Sequence, residues 1–508
     1  MKVCENCGST HIIKKGSDVS VFGNRKPRLK CKTCGHHQYD LYASYMAPKS
    51  IDKFAPTSTK TGKKYVITSI QNNTKTNHAF LDSLENYCQW NAAELIVIPL
   101  QYNITLYDQI TWDIDKSLLV AEAFTINNMV NVLGDMNIEV TAENPLSGTD
   151  ALSKGISVVI PHNQLMMKSL PVTGDSTSVI MVTTGTISEP NYEISKAGYK
   201  AEFNHSYSAI LIDCADDMFH MRVLNADDKS GFYDIDGYYT GDKYTPLEYV
   251  EALVTGDEHV YVMNQDVAAA TYTNPDSIVN ILKPKHIIRH DVLDCFTISH
   301  HHQKDHFLQY AKKLANMNNI EQELNQTISF IEDTTPPYAQ TYLVSSNHNE
   351  HLARWLKETS PKSDHENAII FHHLTLLMLL EIKNHSSSEK GICKPDPFEL
   401  YCKSIGADFK FIGRTNSFKL FDIELSNHGD RGANGSRGSA NQYAKLGEKV
   451  IIGHSHTPGI NKGAYSVGSC TGKDLEYVSG PSSWMNTHCI IYPNGKRQLI
   501  NIINGKWR

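Results

Sequence analysis

The sequence has no apolar run long enough to cross a bilayer. Its most apolar stretch, residues 369–382, is broken by His372 and His373 and falls short of the roughly 20 residues that a spanning helix needs. The opening Met1-Lys2-Val3-Cys4-Glu5 has none of the apolar core of a signal peptide, so no membrane segment is expected. The cysteines do not form an even, secreted-type set. Eleven of them in a chain without a secretory signal speak against a disulfide framework and for a reducing, cytoplasmic setting. No repeat with a period of about 20 to 50 residues is present, which excludes solenoids and propellers. At 40% hydrophobic and 20% charged residues, the composition excludes a disordered chain. The 508 residues exceed what one core holds, so several domains are expected.

A strong net positive charge is also missing, since the formal balance is −7. That total hides an asymmetry. Residues 1–63 hold 12 Lys+Arg against 4 Asp+Glu, a local +8 that leaves −15 for the remainder. A basic head on an acidic body suits a protein whose N-terminal module meets phosphates, although small zinc modules are often Lys-rich for solubility alone.

What is present begins with Cys4-x-x-Cys7 and, 23 residues later, Cys31-x-x-Cys34. Each pair can present two thiolates to one tetrahedral Zn²⁺. Gly8 and Gly35 follow the second cysteine of each pair, where a knuckle turn needs positive φ. Four thiolates leave no open position, so this zinc is expected to be structural. The reading is a zinc ribbon over 1–40 and a Lys/Ser/Thr/Pro-rich linker over 41–63. An α+β domain follows over 64–245, and an α/β domain over 246–508. Within the last, helical spacing is read after residue 307, after residue 320 and over 367–383. A hairpin is read around Pro493-Asn494-Gly495-Lys496. The turns Gln71-Asn72-Asn73, Thr183-Thr184-Gly185 and Asn204-His205 are read mainly as ordinary turn chemistry.

Five short apolar runs in the second half end in metal-ligand residues. They are Asp257-Glu258-His259, His290-Asp291-x-x-Asp294, Asn347-His348, His428-Gly429-Asp430 and His454-Ser455-His456. Residues just beyond the carboxyl ends of strands converge on one rim in α/β sheets. Two Asp, one Asn and four His gathered there would hold two divalent metals side by side. A single histidine is more often structural than ligating; the ordered set of five clusters carries the argument.

This order resembles the calcineurin-like metallophosphoesterases, whose pattern is D-x-H, G-D-x-x-[DN], G-N-H-[DE], H, G-H-x-H. The resemblance covers about residues 250–460 and implies a two-sheet α/β sandwich. It implies that Asp257, His259, Asp291 and His456 hold one metal, and that Asp291, Asn347, His428 and His454 hold the other. Asp291 then bridges, and His348 is the catalytic acid. The expected glycines are His290 and Ser346, and the expected acid after His348 is Asn349, leaving Glu350 or Asp294 to tune that histidine. Tyr65 to Thr74, Asn144-Pro145-Leu146-Ser147-Gly148, Thr183-Thr184-Gly185, His428 to Gly432 and Asn501 to Arg508 are further similar to tailed-phage metallophosphoesterases. Those resemble the first-step-transfer deoxyribonucleases that degrade host DNA. This second resemblance implies a Mn²⁺-dependent DNA nuclease (Fe, Zn or Mg being the alternatives) acting in the host cytoplasm as a homo-oligomer, besides the one structural Zn²⁺.

Arg354, Arg431 and Arg437 are the candidate contacts to substrate phosphate, the last two in a glycine-rich run that lets backbone amides approach an anion. The run His300-His301-His302 is read as a loop near the site. Two other function classes stay open. One is a phosphatase or nucleotide phosphodiesterase with a partner-docking ribbon. The other is a non-catalytic zinc-ribbon DNA-binding or regulatory protein.

Overall fold

The computed structural model describes residues 4, 6–19, 25–39, 56, 58–104, 109–174, 178–215, 217–385, 393–472 and 480–508. The chain is a mixed α/β protein of several sheets. It divides into two compact units, Met1–Pro56 and Thr57–Arg508.

The first unit is a three-stranded antiparallel ribbon of Ile12–Val19, Arg25–Cys31 and His37–Tyr39. Of the expected linker, 41–55 and 57 lie outside the described residues. Its end differs from the expectation, because Ser58–Lys60 is a strand pairing in parallel with Ala123–Ile126.

In the second unit a six-stranded sheet runs in the order Lys410–Ile412, Gln340–Val344, His286–His290, Ala252–Asp257, Thr487–Ile491, Arg497–Asn501. The first four strands are parallel and the last two form the hairpin read from the sequence. Side-chain alternation explains why both faces are buried. Val254, Ile288, Val344, Cys489 and Ile491 face a core shared with the other large sheet, while Leu253, Ile287, Ile490 and Ile500 face helical segments on the opposite side. The helical spacings are realised as His306–Leu314, Ile320–Asp333 and Ala368–His385.

The other large sheet has eleven strands, and it changes the expected domain map. Met166–Leu170 pairs with Gly459–Asn461, so one sheet draws strands from both sides of position 245. No compact-unit boundary falls there. The turns of the 64–245 segment satisfy one another: Asn163 Nδ2 donates to Gln71 Oε1 (2.7 Å), and Tyr192 OH meets His205 Nδ1 at 2.7 Å.

Candidate metal centre

The three parallel strands Ala252–Asp257, His286–His290 and Gln340–Val344 end on the same rim. They deliver Asp257, Asp291 and Asn347 there. The parallel strands Ile423–Glu424 and Lys449–Ile452 of the second sheet deliver His428 and then His454 and His456. His259, Asp291, His454 and His456 all take positive φ, at 43°, 43°, 69° and 54°. The chain turns sharply after three of these strands, Ala252–Asp257, His286–His290 and Lys449–Ile452, in a conformation uncommon outside glycine that clusters at functional sites. Between Asp257 and His259, Glu258 points the other way, into a fully buried pair with Arg289 (Nη1 to Oε2 3.1 Å).

Asp291 lies at the centre. Its Oδ2 is 3.0 Å from His428 Nε2, 3.9 Å from His259 Nε2 and 4.0 Å from His348 Nε2. Asp257 Oδ2 is 3.1 Å from His456 Nε2, and Asp257 Oδ1 is 3.9 Å from His428 Nδ1. Burial alone would raise the Asp291 carboxyl, but the His428 and His348 imidazoles beside it hold it well below the usual carboxylate range. Burial opposes a proton on His259 as well; the carboxylates of Asp294, Asp291 and Asp257 outweigh that and lift it to about 9. Gly453 belongs to this packing, because a Cβ there would overlap Asp257 Oδ1 and press on His290.

The donor atoms could hold metal ions. Asp257 Oδ1, Asp291 Oδ1, Asn347 Oδ1 and His290 Nε2 are buried without a hydrogen-bond partner among the described residues, a costly state unless a ligand completes them. His259 Nδ1 donates to Asp294 Oδ1 at 2.8 Å, the carboxylate arrangement that turns the opposite ring nitrogen into a metal donor. That Nε2 lies 3.1 Å from His456 Nε2, so two ring nitrogens meet at one place. Three overlapping groups of side chains could each hold an ion: Asp257/His259/His456, Asp257/His290/His428 and His259/Asp291/His348. His454 is outside these groups, its ring centroid 5.4 Å from that of His428.

The three departures from the pattern each have a physical role. Ser346 is the N-cap of helix Asn347–Glu358 and forms a capping box with Asn349, which fixes Asn347 and His348 in the first turn. His290 stands among the donors, its Nδ1 3.4 Å from His428 Nδ1. The missing acid after His348 is replaced from elsewhere: His348 Nδ1 donates to the Asp294 carbonyl at 2.8 Å, with the Asp294 carboxylate at 3.5 Å.

The arginines fare differently. Arg354 pairs with Glu358 at 2.9 Å on an exposed helix face. Arg431 is paired with Glu350, and Arg437 is exposed on the facing strand of the same loop. Arg414, unremarked in the sequence, is nearer the centre. It forks onto Asp430, with Nη1 to Oδ1 at 2.7 Å, and donates to the Ser345 carbonyl at 3.2 Å. Trp484 was also missed; its ring lies 4.1 Å from that of His456. Neither residue sits in a recognisable ligand spacing.

In the ribbon, Cys4 and Cys34 sulfurs are 3.6 Å apart, as are Cys7 and Cys31. All four lie within 4.8 Å of one another. Zn–S bonds of about 2.3 Å in a tetrahedron require sulfurs roughly 3.8 Å apart, so the four cysteines could bind zinc. Gly8 and Gly35 take φ of 69° and 74°, with open space where a Cβ would stand.

No family model matches the chain, and no solved structure matches it significantly. Over 473 residues, 88% of this chain and 83% of the relative, it is 35% identical to "Protein A1" of Escherichia phage T5.

Proposed function

The chain belongs to the family of protein A1 of Escherichia phage T5, and from that premise we propose that it is a binuclear metal-dependent phosphodiesterase of the calcineurin-like type that cleaves DNA. One observation carries the reading: Asp291, Asp257, His259, His428 and His456, from four strand ends, bring buried donor atoms to one place. Bound there, two divalent ions, Mn²⁺ in this reading, would polarise a phosphodiester and acidify a water for in-line attack.

The residues supply the rest. Asp291 stands between the two halves of the donor set. Asp294 fixes the ring of His259 and holds His348 with its free nitrogen toward the centre, where a proton on Nε2 can pass to the leaving oxygen. Arg414 and the loop carrying Arg431 and Arg437 lie beside the rim for the phosphate backbone. The basic ribbon adds sequence-independent attraction to DNA. The enzyme then works on host DNA in the host cytoplasm, as a homo-oligomer; among the described residues no helix is long and apolar enough to cross a membrane.

The test is to incubate the purified protein with Mn²⁺ on linear, circular and single-stranded DNA, a small phosphodiester and a phosphomonoester. Diester cleavage is expected, and Asp291→Asn or His454→Ala should abolish it while the circular dichroism is unchanged. Retained cleavage in a folded Asp291→Asn protein contradicts the reading. Preference for the monoester would move it to a phosphatase.

A further inference from the structure

Beside the candidate centre is a second group of imidazoles that plays no part in the chemistry above. His300 and His301 lie in the turn before helix His306–Leu314, and His351 lies one turn into helix Asn347–Glu358. One ring nitrogen from each falls within 4.8 Å of the other two. The ring centroids are 3.8 Å apart for His300 and His301 and 5.0 Å for His300 and His351. His300 Nδ1 and His351 Nδ1 are shut off from solvent and have no hydrogen-bond partner among the described residues. A buried imidazole nitrogen is normally paired, and two unpaired ones in one cluster of three histidines leave the same gap as the orphaned donors of the main centre.

We propose that His300, His301 and His351 form a third, mononuclear metal site that takes a first-row dication of the Zn²⁺ class. The donor set decides the class. Three nitrogens without an oxygen ligand suit a borderline ion and do not suit Mg²⁺ or Ca²⁺. Three protein ligands also leave a tetrahedral ion one open position. His301 is exposed, which gives an ion its way in. The site ties the turn at 300–301 to the helix that begins with Asn347 and His348, and the His351 ring is 4.9 Å from that of His348. An ion there is therefore placed to hold the wall of the main centre. The assignment does not depend on phosphodiesterase activity, since the three imidazoles remain whatever the main centre does.

The test is a metal count on the full-length protein, stripped with chelator and reloaded with Zn²⁺ or Co²⁺. His351→Ala and His301→Ala should each bind one equivalent less than wild type. His301 is exposed, so its removal does not threaten the fold. With Co²⁺ the lost signal should be visible d–d absorption, while the sulfur charge-transfer bands of the four-cysteine site stay constant. Asp291→Asn should leave this equivalent in place. Equal metal content in wild type and both histidine variants overturns the proposal. So does a site that takes up inorganic phosphate and no Zn²⁺.

Discussion

Asp294 touches two rings of the candidate centre, one through its side chain and one through its backbone. Its carboxylate accepts from His259 and its backbone carbonyl accepts from His348, so it orients the two rings on either side of Asp291. Asp294→Asn keeps the shape and removes the charge that sets the His259 proton. Losses at such supporting carboxylates are about 10- to 100-fold in metal affinity or activity. The expected result is weaker Mn²⁺ binding by titration with the same unfolding profile; unchanged binding would reduce Asp294 to packing. Glu323 gives a separate, purely structural prediction. Burial, helped by the charge of Asp294, pushes its carboxyl up from 4.5 to about 7, although it accepts amide protons from Phe296 and Thr297, each at 2.9 Å. A raised value means that the folded state holds the proton more tightly. This contribution is therefore complete below pH 4.5 and is lost as the pH rises through about 7. Such a span corresponds to about 3 kcal/mol. Unfolding of wild type and Glu323→Gln across that window should show the wild type losing ground to the variant as pH rises. Parallel curves would mean that Glu323 does not titrate there.

At the scale of elements, the helix Asn347–Glu358 matters because its first turn carries two site residues. Ser346 Oγ accepts from the amide of His348 at 3.1 Å and that of Asn349 at 3.4 Å. Ser346→Ala should cost about 1 kcal/mol of stability. It should also lower turnover more than substrate binding, since it loosens His348; a melting shift with unchanged turnover would confine the cap to stability. The same stretch shows what could be read without coordinates. Strands, helices and the C-terminal hairpin were legible because alternation and helical spacing are local, and the candidate clusters could be picked out because each sits just past an apolar run. Ser346, Asn349 and His290 looked like losses from a pattern, because a pattern counts residues and carries no caps or cross-strand neighbours. Asp294 supplies from 54 positions away what the neighbour of His348 lacks. The pairing of Met166–Leu170 with Gly459–Asn461 was illegible for the same reason: nothing in either strand names its partner.

For the whole molecule, the division of charge coincides with a division of structure. The basic, cysteine-bearing head belongs to Met1–Pro56, while Thr57–Arg508 is compact on its own and contains every residue of the candidate centre. If the head serves DNA, its removal should separate binding from chemistry. The cut belongs after Pro56 and not after residue 63, because Ser58–Lys60 pairs with Ala123–Ile126 and its loss would open a sheet edge. Removing residues 1–56 should leave hydrolysis of a small phosphodiester unchanged, since that substrate needs only the centre. DNA affinity should fall, and the dependence of log K on log salt should become shallower as lysine–phosphate contacts disappear. If the four cysteines hold zinc, its removal with the chain intact should do the same to a lesser degree, because the charges remain while their arrangement is lost. Equal losses on DNA and on the small diester would show that the head supports the fold of the remainder. An unchanged salt slope would show that its positive charge never meets the phosphates.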